Sequence, residues 1–178
     1  MVLGAGAGFL VLERSPDARS RYATILGEIC NAQCATELSG SQLPAISQGT
    51  LQPLVAEVID EGIDFVVAAG IGTVEADRAE AAALCEAVGR DVPVTALKSH
   101  TGYLGASTSV VELGIALMCA RERLVPPIAR HTAPDDGCRL NLVRDQARAL
   151  PSEAPAGLFL SQSWGGQVSA ITARAVRN

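Results

Sequence analysis

The sequence predicts a layered α/β fold, because its composition and the order of its apolar segments both fit a sheet covered by helices. Hydrophobic residues make up 48% of the 178 residues but aromatic residues only 3%, so small and branched aliphatic side chains must fill the core. An apolar strand at 64–70, an alanine-rich helix that ends at Gly89 and a second strand at 92–97 form a unit typical of parallel sheets. The length favours a single domain over residues 1–178.

Elements on either side of this unit follow from local patterns. Residues 8–13 and 22–30 are apolar runs on either side of a polar stretch, and they predict two strands that pair with each other. Aliphatic residues at helical spacing predict a helix over 48–61, capped by Gly62. A further helix is predicted within 107–124, and the prolines that follow end it.

The C-terminal part predicts a pair of strands around a glycine turn. The segments "GLFLSQS" (157–163) and "QVSAITARAV" (167–176) are extended in character and flank two glycines. Residues 126–155 contain several prolines and predict irregular surface structure, with one short extended piece at "RLNLV" (139–143).

Charge and cysteine content exclude several classes of function. The net charge is −5 without a run of Lys or Arg, so no nucleic-acid partner is expected. The apolar runs are too short for a membrane span, and the N-terminal residues lack the pattern of a signal peptide, so a cytoplasmic location is expected. Five cysteines without a C-x-x-C pair and only two histidines predict no metal site. Cys85 and Cys119 lie on helical patterns and are predicted to be core residues.

Two glycine-rich stretches invite a comparison with ligand-binding loops. "GAGAG" (4–8) lacks the preceding strand and following helix of a dinucleotide loop, so close backbone packing is the better interpretation. "AAGIGT" (68–73) does follow a strand and precede a helix, and its backbone N–H groups could bind an anion or a carbonyl group. It lacks the Gly-Lys-Ser/Thr ending of a P-loop.

Five motifs together resemble one protein family along the whole chain. In order they are "GAGAGFLVLE", "AAGIGTVEADRAEAAAL", "LKSHTGYLGAST", "VPPIA" and "SQSWGGQVSA". They are similar to motifs of the C-terminal half of β-ketoacyl-ACP synthases, the condensing enzymes of fatty acid and polyketide synthesis. The resemblance implies the C-terminal half of a thiolase-like α/β fold, with a mixed central sheet covered by helices. The N-terminal half, which in that family supplies the cysteine nucleophile, is absent from this sequence.

The resemblance also identifies positions of the family's active site. Condensing enzymes use a cysteine thiolate as nucleophile and two histidines that stabilise the enolate formed when malonyl loses CO2. The two histidine positions correspond here to Ala69 and Tyr103, while Lys98 keeps the family lysine. No catalytic residue is therefore expected to be intact. Tyr103 as a donor to the oxyanion and His100 as a replacement base remain alternatives.

Other positions match the family's contacts to the pantetheine arm. Thr73 and Ile71 occupy the positions of two threonines that face this arm, and Gln162 and Trp164 occupy two aromatic positions near the gate of the acyl tunnel. These four residues are the expected substrate-binding positions. Asp77, Glu80 and Glu112 also match the family pattern, and the resemblance implies structural roles for the three.

The pattern of losses looks most like the chain-length-factor branch of the family. This implies a non-catalytic subunit that supports acyl chain extension in fatty acid or polyketide biosynthesis, together with a catalytic ketosynthase and an acyl carrier protein. No cofactor is implied beyond the phosphopantetheine that the carrier protein brings. One alternative is one half of a split acyltransferase whose cysteine lies on a complementary N-terminal polypeptide, and another is a truncated product with a structural role only.

Two surface features bear on partners of such a subunit. A chain without the other half of this fold is expected to expose a large apolar face, which usually marks a partner surface. Arg121, Arg123 and Arg130 could meet an acidic carrier protein, although charge at a helix end is more often solvated surface.

Overall fold

The computed structural model describes residues 1–38, 46–60, 62–131 and 133–177. Helices and strands alternate along the first part of the chain, and a hairpin of two long strands closes it. In chain order the elements are α1 (Ser15–Ser20), β1 (Gly27–Thr36), α2 (Gln48–Val58), β2 (Phe65–Val67), α3 (Val74–Val88), β3 (Pro93–Thr95), α4 (Lys98–Thr101), a 3-10 turn (Gly105–Ser107), α5 (Thr108–Arg121), β4 (Leu124–Val125), β5 (Asn141–Leu142), β6 (Arg148–Ala149), β7 (Ala156–Gln162) and β8 (Gln167–Ala175).

Six of the described strands form one mixed sheet, in the order β1-β8-β7-β2-β3-β5. β2 is parallel to β3 and β7, and β3 is parallel to β5, whereas β8 is antiparallel to β1 and β7. The parallel part arises because α3 returns the chain to the same end of the sheet before β3 begins. The carboxyl ends of β2 and β3 therefore meet at one edge of the sheet, and the loops that follow them lie side by side.

Helices cover both faces of this sheet, and each face has its own apolar cluster. On one face, Leu51 of α2 and Leu84 of α3 are fully buried against Leu158 of β7. On the other face, Leu117 of α5 packs over Phe159. This arrangement confirms the predicted mixed sheet with helical layers.

The prediction of two paired strands near the start of the chain is wrong. β1 begins only at Gly27 and pairs with β8, and residues 8–13 belong to no strand. This segment instead lies against α5, so close that a Cβ atom at Gly8 would come within 3.0 Å of Val111. A strand needs a neighbour with which it exchanges backbone hydrogen bonds, and no described strand lies beside residues 8–13.

The helix predicted over 48–61 is shorter than expected. α2 ends at Val58, and Ile59 already has an extended backbone with φ −92° and ψ 94°. Ile59 is partly buried against the cluster under α2 and α3, so the chain leaves the helix while it still packs on the core. Gly62 is therefore not the cap of this helix, and Glu61 lies outside the described residues.

Several of the remaining elements confirm the sequence patterns, whereas the short elements α1, α4, β4 and β6 were not predicted. β2, α3, β3 and α5 lie within the predicted segments. The C-cap of α3 is Gly89, whose φ of 80° is accessible because glycine has no Cβ atom. The C-terminal hairpin β7–β8 pairs from Ala156 with Arg174 to Gln162 with Val168. None of the described helices is long and apolar enough to cross a membrane.

Candidate functional site

Two loops at the carboxyl ends of β2 and β3 carry most of the candidate positions. We call residues 68–73 the first loop and residues 96–108 the second loop. The N–H of Ala68 donates a hydrogen bond to the carbonyl oxygen of Thr95 at 2.8 Å, so the loops start from adjacent points of the sheet.

The first loop folds around the buried carboxylate of Glu80. Gly70 and Gly72 have φ angles of 50° and 82°, which allow a sharp turn directly after β2. The N–H groups of Ala69 and Gly70 donate to the two oxygens of Glu80, at 2.6 and 2.9 Å. The expectation that this loop offers N–H groups to a ligand is therefore wrong for these two residues, because a side chain of the same chain binds them.

A second carboxylate, Asp77, supports the same loop. Its Oδ1 accepts a hydrogen bond from the N–H of Gly72 at 3.1 Å. Burial raises the pKa of Asp77, and it raises the pKa of Glu80 to about 7, in each case against the opposing effect of the N–H donors. Asp77 and Glu80 thus hold the loop in shape, in agreement with the structural roles predicted for them.

The second loop is tied to the glycine-rich start of the chain. The N–H of Tyr103 donates to the carbonyl oxygen of Val2 at 2.8 Å, and the carbonyl oxygen of Tyr103 accepts from the N–H of Gly4 at 3.0 Å. Gly102 has a φ of 71°, and a Cβ atom there would lie 2.9 Å from the backbone nitrogen of Gly4. The close backbone packing predicted for the glycines of residues 4–8 is therefore found at Gly4. The pairing with the second loop was not predicted.

Lys98 forms a buried ion pair with Glu112 of α5. Its Nζ lies 3.0 Å from Oε2 and 3.3 Å from Oε1, and the two side chains are only 7% and 4% exposed. Burial raises the pKa of Glu112, and the Lys98 ammonium opposes that shift. The resemblance identified both residues, but their pairing joins a loop to a helix and could not be predicted from their spacing.

The two positions that correspond to the family histidines differ in their surroundings. Ala69 is fully buried, offers only a methyl group, and its N–H is already bound to Glu80. Tyr103 is half-buried, and its ring meets the ring of Trp164 edge to face at a centroid distance of 6.4 Å. Burial raises the pKa of Tyr103, so its hydroxyl group stays neutral and can donate one hydrogen bond.

His100 is engaged in a structural contact. Its Nε2 lies 2.6 Å from the carbonyl oxygen of Pro127 and must donate to it, since a carbonyl oxygen only accepts. The neighbouring N–H of Ala129 donates to Ser99 Oγ at 2.9 Å. His100 therefore fastens the proline-containing exit of α5 to the second loop, which gives no support to a role as base.

An open groove of about 1100 Å³ begins at these loops and continues along α3. Four of the predicted positions, Ile71, Thr73, Lys98 and Tyr103, line its first part. Among the described residues, no group of three or more histidine, cysteine or acidic side chains is arranged to hold a metal ion.

Gln162 and Trp164 lie apart from the groove. Gln162 is 3% exposed, and neither its Nε2 nor its Oε1 has a hydrogen-bond partner within the described part of the chain. Trp164 is 46% exposed beside Tyr103. The structure thus brings Trp164 and Tyr103 together but leaves Gln162 inside the protein.

The far part of the groove runs between α3 and a segment that we call the strap, residues 133–142. Arg78, Ala82 and Cys85 of α3 and Cys138 of the strap are among the residues that line it. The prediction that Cys85 and Cys119 are core residues is wrong, because both are only half-buried. Burial nevertheless raises the pKa of the Cys119 thiol.

The three arginines expected to meet an acidic partner have different environments. Arg123 is bound to the carbonyl oxygens of Leu150 and Pro151, and it pairs with Glu153 at 2.7 Å. It therefore anchors the chain after α5. Arg130 lines the groove, and Arg121 lies in the last turn of α5.

Comparison with known proteins places the chain in one family. Residues 22–132 match the family model described as "Beta-ketoacyl synthase, C-terminal domain". The chain is 35% identical over 178 residues to the tetracenomycin polyketide synthase ketoacyl synthase beta subunit of Streptomyces glaucescens. The aligned region covers 97% of this chain and 43% of that protein.

Two solved structures have a similar fold. The ishigamide ketosynthase/chain length factor superposes with a TM-score of 0.87 at 24% identity, over 98% of this chain and 44% of the other. A ketosynthase bound to a hexaketide, in complex with a type II polyketide synthase acyl carrier protein, gives a TM-score of 0.78 at 23% identity over 93% and 42%. The chain thus spans less than half the length of each of these proteins.

Proposed function

The chain belongs to the family of β-ketoacyl synthase C-terminal domains, and from this premise we propose that it is a non-catalytic, chain-length-factor-like subunit. It supports acyl chain extension by a catalytic ketosynthase that acts on substrates carried by an acyl carrier protein. Polyketide extension is the favoured pathway, because the beta subunit of the tetracenomycin polyketide synthase is among the relatives. The proposal also places the protein in the cytoplasm.

The observation that carries this proposal is the chemistry at positions 69 and 103. Decarboxylative condensation needs donors that stabilise the negative charge on the enolate oxygen. Ala69 has no polar side-chain atom, and its N–H is held by Glu80 at 2.6 Å. Tyr103 keeps one neutral hydroxyl group, which cannot replace two histidines.

The ordered surroundings of these positions support a retained structural role. Glu80 and Asp77 hold the first loop, and the buried Lys98–Glu112 pair holds the second loop on α5. A subunit that shapes a tunnel for a growing acyl chain needs such a framework without the catalytic groups. Thr73, Ile71, Gln162 and Trp164 remain our proposed contacts to the pantetheine arm or the acyl chain.

The decisive experiment identifies the partner and locates the catalysis. The chain is purified by affinity from its native cell, its partners are identified by mass spectrometry, and the complex is assayed for condensation of malonyl carrier protein. We expect a complete ketosynthase with its own cysteine and histidines, and we expect loss of activity when that cysteine is replaced by alanine. Recovery of a polypeptide equivalent to an N-terminal half alone would instead support a split acyltransferase, and recovery of no partner would support a structural fragment.

A substitution at Tyr103 tests whether this chain takes part in the chemistry. We expect the Tyr103→Phe complex to keep the condensation rate within about twofold, because the hydroxyl group is not used. Tyr22→Phe is the matched control, since Tyr22 is 95% exposed. A loss of about 100-fold or more, of the size seen when an oxyanion donor is removed, would make Tyr103 a donor and overturn the non-catalytic role.

A further inference from the structure

The start of the chain, which we call the N-terminal segment (residues 4–12), runs beside α5 as an extended chain. It contains no helix, turn or bend. A Cβ atom at Gly8 would lie 3.0 Å from Val111 Cγ2, and one at Gly114 would lie 3.8 Å from Leu10 Cδ2. Two residues of the segment thus pass three residues of the helix, which rise about 4.5 Å. An extended chain reaches that far in two residues, whereas a helical one rises only about 3 Å.

Side chains of the N-terminal segment alternate between α5 and the outside. Gly8 and Leu10 lie against the helix, whereas Phe9 and Val11 are 95% and 84% exposed. A period of two residues is that of a β-strand. Apolar residues stand on both sides, and the first 12 residues carry no charged side chain. This pattern is typical of a strand that is buried on both faces, not of one with a solvated face.

The backbone of residues 7–12 forms no hydrogen bond within the described part of the chain. The segment is held just before this point, where the N–H of Gly4 donates to the carbonyl oxygen of Tyr103 and Ser107 Oγ donates to that of Gly6. Successive N–H groups of an extended chain point to opposite edges, so both edges of the segment are unpaired. An apolar strand with free edges is a template for the addition of further strands.

α5 itself has the residues of a helix that is buried on all sides. Its single charged residue before the last turn is Glu112, which is buried and paired with Lys98. One face packs on the six-stranded sheet, and the N-terminal segment lies on another face at Val111 and Gly114. Further along that face, Met118 is 59% exposed. A helix that is apolar all round is typical of the centre of a larger protein, so the layer on this second face is incomplete.

The part of the relatives that lies outside this chain fits the incomplete layer. This chain spans 43% of the tetracenomycin subunit and 44% of the ishigamide ketosynthase/chain length factor. One main sheet with its helices takes up the described residues here, so the remaining part of such a protein is long enough for a second sheet with helices of its own. A second copy of this chain fits less well. Antiparallel pairing of two N-terminal segments would join one edge of each and leave the other edge of both unpaired.

We propose that residues 7–12 are an interior strand of a second sheet, whose other strands come from a polypeptide equivalent to the part of the relatives outside this chain. The partner adds one strand to each edge, and its helices cover Phe9 and Val11. α5 then lies between two sheets. The inference goes beyond the proposed function, because it concerns how the chain completes its own fold. A catalytic ketosynthase would bind the completed subunit.

Hydrogen exchange of the backbone amides tests the pairing directly. The chain is purified by affinity from its native cell, the bound proteins are identified by mass spectrometry, and exchange is compared between the complex and the isolated chain. We expect the amides of residues 7–12 to exchange at least about 100-fold more slowly in the complex, because each gains a partner in the sheet. We also expect the complex to contain a polypeptide that matches the part of the relatives outside this chain.

Other outcomes of this measurement overturn the proposal. They are unchanged exchange of residues 7–12 in the complex, recovery of the chain alone, and protection of these amides by a second copy of this chain or by a complete ketosynthase. The proposed function is tested separately in the same sample. If the amides are protected by the expected polypeptide but no catalytic ketosynthase is present, the proposed function fails and the second sheet stands.

Proline substitutions separate pairing of the edges from folding of the chain. Val11→Pro removes an N–H group that has no partner within the described part of the isolated chain, so we expect the melting temperature of this variant to stay within about 3 °C of the original. Its binding to the polypeptide should become at least about 10-fold weaker. Leu12→Pro, whose N–H points to the other edge, should weaken binding as well. Val74→Pro is the matched control, because Val74 is 65% exposed and occupies the first position of α3, where proline is tolerated.

Two results with Val11→Pro contradict the second sheet. One is binding as tight as that of the original chain. The other is a fall in the melting temperature of the isolated variant by more than about 10 °C, since the segment would then be paired within the chain itself.

Discussion

The C-terminal hairpin and the N-terminal segment are both rich in apolar residues, but the chain buries only one of them. Leu158 and Leu160 of β7 are 0% and 3% exposed, whereas Phe9, Val11 and Leu12 are 95%, 84% and 77% exposed. The hairpin lies inside the sheet, between β2 and β1, and helices cover its two faces. In the N-terminal segment, Gly8 lies against Val110 and Val111 of α5, and Leu10 lies near Gly114. Apolar sequence thus predicts burial only where the chain itself supplies the covering surface.

Polar groups follow the same division. The carboxylates of Glu80 and Glu112 are buried with partners from the same chain, whereas the ion pair between Arg177 and Glu153 lies on the surface. The buried carboxylates beside the sheet are therefore paired within the chain. We expect substitutions there to be costly and equivalent substitutions outside it to be nearly neutral.

The largest expected effect concerns the buried ion pair. Lys98→Met leaves the Glu112 carboxylate buried without its partner, and we expect the free energy of unfolding to fall by about 3–5 kcal/mol. The matched change Arg177→Met breaks an exposed pair and should cost at most about 1 kcal/mol. Urea denaturation followed by circular dichroism measures both. Equal losses of stability would contradict the difference between buried and exposed groups.

Paired leucine truncations sharpen the comparison directly. Leu158→Ala creates a cavity under α2 and α3, with an expected loss of about 2–5 kcal/mol. Leu12→Ala removes the same atoms from an exposed side chain and should change stability by less than about 0.5 kcal/mol. Thermal and urea unfolding of the two variants provide the test. A loss above about 2 kcal/mol for Leu12→Ala would mean that the N-terminal segment is part of the core.

The pH dependence of stability reports on the interior carboxyl group of Glu80. Its pKa is about 7 in the folded chain and near 4.5 when unfolded, so the folded state keeps the proton to higher pH. The free energy of unfolding should therefore decrease as the pH rises from about 4.5 to about 7, by about 3 kcal/mol from this group.

Variants at two glutamates of α3 separate this effect from the rest of the protein. Glu80→Gln cannot titrate and should show a flatter pH profile across that range, while Glu75→Gln on the exposed side should keep the original slope. An unchanged slope in Glu80→Gln would show that the carboxyl group does not hold its proton in the folded state.

A charge at Phe9 is expected to have the smallest effect on stability and to act on association instead. Phe9→Asp places a charge on an exposed position and should change the unfolding free energy by less than about 0.5 kcal/mol. If the exposed segment is a partner surface, the same change should weaken binding to a catalytic ketosynthase in a pull-down assay. Tyr22→Asp, at a residue that is 95% exposed outside this segment, is the control.

Local sequence patterns predicted those parts of the fold in which consecutive elements pack on each other. The β2–α3–β3 unit combines apolar runs with glycines at its turns, and the hairpin β7–β8 has its glycine turn between two apolar strands. Residues 8–13 were mispredicted because their extended pattern specifies no neighbour. α2 ends early because packing of Ile59 overrides the glycine signal at position 62.

The resemblance supplied candidate positions for the site, but the contacts of these residues required the structure. The resemblance identified Ala69, Tyr103 and Lys98, whereas the ion pair of Lys98 with Glu112 depends on how α5 packs against the second loop. The Glu80 hydrogen bonds had one available signal, an acidic residue on the helix directly after a glycine loop. The groove was missed because the irregular strap has no periodic pattern that predicts its path along α3.

The crossing of Gly4 over Gly102 restricts which sequences this fold can accept. A side chain at position 4 would collide with the carbonyl oxygen of Thr101, and one at position 102 would need a φ of 71° and meet Gly4. Two positions at distant points of the sequence are thus limited by a single crossing. A library randomised at both codons and selected for folded protein should return glycine at each of them.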